Sequence, residues 1–141
     1  MAGVRLPVLV GPTGVGKTSV ACALLTHWSL EVISADSRQV YRRQNIGTAK
    51  TSRKWLARVP HHGIDLIDPG RRYSAGHFAR EAPRWIDQVR SRGNLPVIVG
   101  GTGLYIRALT DGLFAEPPLD RDRRRAMGDC AETLDPRELL R

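Results

Sequence analysis

Residues 11–18 read Gly11-Pro12-Thr13-Gly14-Val15-Gly16-Lys17-Thr18, the spacing G-x-x-x-x-G-K-[ST] of a phosphate-binding P-loop. The apolar run Leu6-Pro7-Val8-Leu9-Val10 precedes it and a helical pattern follows. A loop of this kind works only where a strand turns sharply into a helix, so the chain is constrained to an α/β fold from its first twenty residues. Gly11 allows the turn, and Gly14 and Gly16 let backbone amides approach a phosphate with no Cβ in the way. The helix opening at Lys17 directs its N-terminal dipole at the same anion. Lys17 adds a charge on the phosphate oxygens, and the Thr18 hydroxyl is placed to ligate a phosphate-bound Mg²⁺.

The rest of the chain supplies the matching pieces. Residues 5–10 form a continuous apolar run of the kind a parallel sheet buries on both faces. Val20, Cys22, Ala23, Leu24 and Leu25 predict an apolar stripe on a helix over 17–28. A second strand over 30–34 ends in Ala35-Asp36-Ser37. Asp36 therefore sits at a strand's carboxyl end, on the side where the P-loop opens and where open α/β sheets bind ligands. The alternative reading of Asp36 is a carboxylate that caps a turn.

Residues 45–50 have no periodicity and read as a loop, followed by a short helix carrying Trp55 and Leu56. Lys50, Arg53, Lys54 and Arg58 around it read as a solvated basic face. His61 and His62 lack the neighbours that would complete a zinc ligand set, and residues 64–69 form a short extended piece. Ser74 is placed to cap a long helix over 75–92, with Phe78, Ala82, Trp85, Ile86 and Val89 on one face and Gly93 as its stop. A third buried strand over 95–99 ends in Gly100-Gly101-Thr102-Gly103, which leaves room for a ligand against backbone, and a helix runs on to about residue 112. From Pro117 the chain becomes polar, with the charge run Asp120-Arg121-Asp122-Arg123-Arg124-Arg125.

At 141 residues and 41% hydrophobic content, the chain holds one packed core. Its net charge of +8, from 22 Lys and Arg against 14 Asp and Glu, points to an anionic partner. Cys22 and Cys130 make neither a metal spacing nor a disulfide framework. No apolar run approaches the length of a membrane span, and the first strand begins too early for a signal peptide, so the expectation is a soluble cytoplasmic protein.

The longer strings are more specific. GPTGVGKT at 11–18, ISADSRQVY at 33–41, IGTAK at 46–50, PHH at 60–62 with the 65–69 segment, YSA at 73–75 and PVIVGGTGLY at 96–105 occur in this order. Together they resemble the tRNA dimethylallyltransferases over about residues 5–125. The resemblance implies a P-loop NTPase-like three-layer α/β fold with a parallel sheet. It also implies transfer of a dimethylallyl group from dimethylallyl diphosphate to the N6 amine of an adenosine adjacent to the tRNA anticodon, with Mg²⁺ as cofactor.

The resemblance assigns roles. Residues 11–18 hold the diphosphate, the Thr13 hydroxyl reaches its bridging oxygen, Lys17 stabilises the departing charge and Thr18 ligates Mg²⁺. Asp36 accepts the amine's proton. Asp36, Ser37, Arg38 and Gln39 contact the adenosine extruded from the anticodon stack, and Thr102 and Arg124 match further tRNA-contacting positions. Arg38 departs from the family pattern, which carries an apolar or small residue there.

Members of that family are about twice as long. Residues 1–114 match its P-loop core, and 115–141 match the start of an inserted helical tRNA-binding region. The fold is expected to stop after about three core strands, in the order second, third, first, which leaves the P-loop strand at an open edge. A missing C-terminal half or an oligomer would cover that edge. Two other readings stay open: a remnant that binds diphosphate, nucleotide or RNA without catalysis, and a P-loop small-molecule kinase.

Overall fold

The computed structural model describes residues 5–113 and 120–133. Its elements in chain order are β1 (Val8–Val10), α1 (Lys17–Leu24), β2 (Leu30–Ala35), α2 (Arg53–Leu56), β3 (His61–His62), α3 (Ala75–Ser91), β4 (Leu95–Gly100), α4 (Gly103–Thr110) and α5 (Arg121–Thr133). The four strands are all parallel, in the order β1-β4-β2-β3.

The strand at the centre explains the three layers. All six residues of β2 are buried, and alternate side chains leave by opposite faces. Ile33 and Ala35 meet Phe78, Ala82 and Ile86 of α3 and Tyr105 and Ala108 of α4. Leu30 and Val32, with Val97 and Val99 of β4, pack on the other face against Ala21 of α1 and Val59. Phe78 is fully buried, and burial of a side chain that size stabilises by roughly 1.5–3 kcal/mol.

Helix α3 forms where its pattern predicts. Ser74 Oγ accepts a hydrogen bond from the His77 amide at 3.3 Å, and Ala75, Phe78, Ala82, Ile86 and Val89 make the buried stripe. Gly93 follows at φ +76°, the left-handed conformation that ends helices.

Two expectations are corrected. β1 is three residues long and among the described residues pairs only with β4, so Val8 and Val10 are 40% and 56% exposed instead of buried on both faces. An edge strand and a central strand share one apolar pattern, and only topology separates them. Helix α1 stops at Leu24 with Ala21 as its one buried residue, leaving Val20 and Trp28 exposed and Cys22 half-buried. The structure also adds β3, a two-residue strand that extends the sheet beyond β2.

Parallel pairing brings the carboxyl ends together: Gly100 is in register with both Val10 and Ala35. A Cβ on Gly100 would lie 2.1 Å from the Ala35 carbonyl oxygen, so only glycine lets β2 and β4 close here. In α5 every described side chain is exposed. The expected boundary at 114–115 lies outside the described residues. No helix among the described residues is long and apolar enough to cross a membrane.

Candidate functional site

Three strand ends converge on one cleft of about 260 Å³. The P-loop forms one wall. Gly14 and Gly16 adopt φ of +85° and +92°, and Gly16 caps α1 without a side-chain partner. The first amides of the helix are thus left for an anion. Lys17 Nζ donates to the carbonyl oxygens of Gly11 and Pro12, both at 2.7 Å. The ammonium is held against the loop, at the cleft that Thr13, Gly14, Gly16 and Thr18 also line. Pro12 and Val15 lie on the exposed rim.

Asp36 and Gln39 line the same cleft from the end of β2. Asp36 Oδ1 accepts hydrogen bonds from the amides of Arg38 at 2.8 Å and Gln39 at 3.2 Å. The turn-capping reading of this residue is therefore correct, and it is compatible with a chemical one. Capping fixes one oxygen and orients the other, and Oδ2 takes no hydrogen bond from the described residues. Tyr105 lies behind it. Burial, together with the charges of Tyr41 and Asp36, pushes its phenol up to about 12.

Thr102 is drawn in from β4. Its amide donates to the Ala35 carbonyl oxygen at 3.1 Å. Its Oγ1 accepts from the Ser37 amide at 3.0 Å and donates to Ser37 Oγ at 3.3 Å. Asp36, Ser37, Gln39 and Thr102 thus form one ledge beside the P-loop. Arg38 is exposed and turns to a neighbouring concavity with Arg43 and Ile46. The side chain of Arg124, in α5, lies outside the described part of the structure.

Sequence reasoning missed three partnerships. Lys50 is not part of a solvated face: its side chain is 4% exposed, and Nζ donates to the Tyr41 carbonyl oxygen at 2.6 Å and to Asp65. It pins the loop over 45–50 to the chain segment after β3. His61 also lines the cleft. Its Nδ1 lies 2.6 Å from the Val59 carbonyl oxygen; a carbonyl only accepts, so Nδ1 carries the proton and Nε2 a lone pair. Burial holds this imidazole's pKa down, against the raising effect of the Val59 bond.

His62 faces the opposite side of the sheet and meets Glu31 Oε2 at 2.8 Å. Arg92 grips both Glu31 oxygens at 2.8 Å, and Asn94 Nδ2 donates to Oε1. The Arg92 hydrogen bonds, aided by His62 and Asn94 and opposed by burial, pull Glu31 down to about 2. The available signal was a glutamate inside an otherwise apolar strand, which needs a partner.

Comparison with known proteins gives consistent matches. The family model described as IPP transferase matches residues 39–140, and the one described as isopentenyl transferase matches residues 4–66. A tRNA dimethylallyltransferase of Desulfotalea psychrophila is 44% identical over 94% of this chain and 42% of its own length. One from Ralstonia nicotianae is 53% identical over 82% of this chain and 36% of its own. Among solved structures, the full-length tRNA isopentenylpyrophosphate transferase of Bacillus halodurans superposes with a TM-score of 0.76 at 40% identity, covering 92% of this chain and 43% of that one. A eukaryotic dimethylallyltransferase acting on tRNA gives 0.76 at 32% identity, covering 93% and 33%. The chain spans less than half the length of each of these relatives.

Proposed function

The chain belongs to the IPP transferase family, and we propose that its cleft transfers a dimethylallyl group from dimethylallyl diphosphate to the N6 amine of an adenosine beside the tRNA anticodon. One observation carries the reading: the P-loop and Asp36 line the same cleft, so an anionic leaving group and a proton acceptor face a common space.

The chemistry follows from that pairing. An adenine amine is a weak nucleophile because its lone pair is delocalised into the ring. As the amine nitrogen bonds to the allylic carbon, the carbon–oxygen bond to diphosphate breaks and the nitrogen's proton passes to Asp36. General-base help of this kind is worth about 10²–10⁴-fold. Charge grows on the departing diphosphate, where the loop amides and Lys17 stabilise it, and the Thr13 hydroxyl serves the bridging oxygen. Ser37, Arg38, Gln39 and Thr102 hold the extruded nucleoside, with Arg124 as a further RNA contact from α5.

Among the described residues no group of three or more His, Cys, Asp or Glu gathers to hold a metal ion. Thr18 lines the cleft and would hold Mg²⁺ through Oγ1 beside the substrate phosphates, the ion keeping several of its waters. When bound, the ion supplies charge neutralisation to the leaving diphosphate.

Among the described residues the outer edge of β1 has no pairing strand. Further polypeptide covers it in the working enzyme, either more of a longer chain or a second molecule, and α5 (Arg121–Thr133) begins the region that grips the anticodon stem.

Single-turnover transfer of labelled dimethylallyl to an anticodon stem-loop, at high protein concentration and with Asp36→Ala as control, tests the reading. Transfer lost in the control supports it. Diphosphate binding without transfer assigns the chain a binding role instead, and nucleotide-dependent phosphorylation of a small acceptor assigns it to a kinase.

A further inference from the structure

The cleft at the P-loop does not end there. Thr51 lines both it and a second concavity of about 450 Å³ bounded by Arg42, Arg43 and Arg53. Arg43 and Asn45 in turn line both this second concavity and a third of about 490 Å³ that includes Arg38 and Ile46. Three concavities that share walls make one open track, running from the phosphate loop across the 38–53 surface.

The charge along this track is one-sided. Among the described residues, the two concavities beyond the P-loop cleft are lined by Arg38, Arg42, Arg43, Lys50 and Arg53 against a single carboxylate, Asp65. Lys50 is spent on Asp65. Arg42 is partly engaged, with Nε donating to the Asp65 carbonyl oxygen at 2.9 Å and a guanidinium nitrogen 3.6 Å from Asp68. Arg43 and Arg53 are exposed and make no salt bridge with the described residues.

The surface is also built rather than loose. The Arg42 amide donates to the Ile67 carbonyl oxygen at 2.8 Å, the Lys50 amide to the Asn45 carbonyl oxygen at 3.1 Å, and buried Lys50 clamps the loop from below. Arg43 itself is held at φ +63°, a conformation that costs a non-glycine residue and persists where its surroundings enforce it.

We infer that the Arg42–Arg43–Arg53 cleft is a backbone-phosphate subsite, holding the RNA strand that flanks the nucleoside at Asp36. The inference rests on the reading of that site as RNA-modifying. The chemistry of the lining favours phosphate and ribose over bases. Guanidinium groups present forked donors to phosphate oxygens, Asn45, Thr51 and Ser52 add hydrogen-bonding groups, and among the described residues no aromatic ring lines the cleft for a base to stack on. Such contacts fix register and orientation, leaving identity to be read at the ledge.

The test is binding of a fluorescent anticodon stem-loop RNA to the full chain across a salt series, beside binding of dimethylallyl diphosphate. Arg43→Ala/Arg53→Ala is compared with Arg43→Lys/Arg53→Lys and with Arg84→Gln/Arg90→Gln, which removes equal charge from the exposed face of α3. The expected result for the alanine pair is a loss of RNA affinity of about tenfold or more at low salt, and a salt slope shallower by about 1–2, the signature of two lost phosphate contacts. The lysine pair restores most of the slope, the α3 pair changes neither, and diphosphate affinity stays constant throughout. Unchanged RNA affinity in the alanine pair overturns the subsite and leaves the proposed reaction standing, as does an equal loss in the α3 pair. A wild-type chain that binds diphosphate but no RNA overturns both. Arginine-dependent RNA binding without any transfer supports the subsite and overturns the reaction alone.

Discussion

The Ser37 amide donates to Thr102 Oγ1 at 3.0 Å across 65 residues of chain, which ties the turn after β2 to the turn after β4. The bond lies at the exposed mouth of the cleft, so its contribution to stability is at the low end of the usual 0.5–1.5 kcal/mol. Its effect on the ledge is larger, because Asp36 sits one residue before Ser37. Thr102→Val, which keeps the shape and removes the hydroxyl, is expected to lower transfer by about tenfold while shifting stability by less than about 1 kcal/mol. Thr102→Ser is expected to keep both. Single-turnover rates beside urea melts decide it, and a large stability loss with unchanged rate would refute the positioning role.

Lys17 bonds two carbonyl oxygens of its own loop, an arrangement that holds the ammonium against the loop at the cleft. Lys17→Ala removes a charge-assisted donor from an anion site and leaves the carbonyls of Gly11 and Pro12 to water. Diphosphate affinity is expected to fall by at least about tenfold, since hydrogen bonds to charged groups are worth about 1.5–3 kcal/mol. Calorimetric titration with dimethylallyl diphosphate measures it, and an unchanged affinity would remove the P-loop from the proposed chemistry.

How much of this was legible in the residue order depends on how local each cause is. The P-loop, the Ser74 cap, the buried stripe of α3 and the apolar runs of β2 and β4 are written in neighbouring residues, and the structure shows them there. Asp36 and Thr102 at strand ends followed from the rule that parallel strands open on one side. Lys50 escaped because its partners, Tyr41 and Asp65, are set by a parallel bridge between Tyr41 and Ile67 that no local pattern announces. The exposure of Val8 and Val10 escaped for the same kind of reason, since an edge position is decided by what pairs alongside.

The network around Glu31 sets a pH dependence. Arg92, His62 and Asn94 hold its carboxyl at about 2 in the fold, against 4.5 ordinarily. The folded value is the lower one, so the unfolded chain takes up the proton first as pH falls. The stabilisation is complete above about 4.5, declines through the interval, and is gone below about 2. Glu31→Gln removes this ionisation, so its stability deficit is expected to shrink as pH falls from 4.5 to 2 relative to wild type. Urea midpoints at pH 7, 4.5, 3 and 2 check it. A deficit that stays constant across the interval would show that Glu31 is not ionised by its partners. Arg92→Ala, which leaves the buried carboxylate with His62 and Asn94, is expected to lower the urea midpoint at neutral pH and to narrow that loss toward pH 2.

Asp36 allows its structural and chemical parts to be separated. Oδ1 caps the turn by accepting from the Arg38 and Gln39 amides, and an asparagine carbonyl can still accept both bonds, whereas alanine can accept neither. The proton from the attacking amine, by contrast, needs a carboxylate, because an amide oxygen is far too weak a base. Asp36→Asn is therefore expected to keep wild-type stability and diphosphate affinity while transfer drops by about 10²–10⁴-fold, the range for a lost general base. Asp36→Ala is expected to lose the same catalysis and also about 1 kcal/mol of stability, the usual worth of such a cap. Melting curves and single-turnover rates on the two variants distinguish the roles. If the asparagine variant retains transfer within a few-fold of wild type, Asp36 is a turn residue that happens to face the cleft, and the proton acceptor must be sought among the other groups lining it, with the Nε2 lone pair of His61 the first to test.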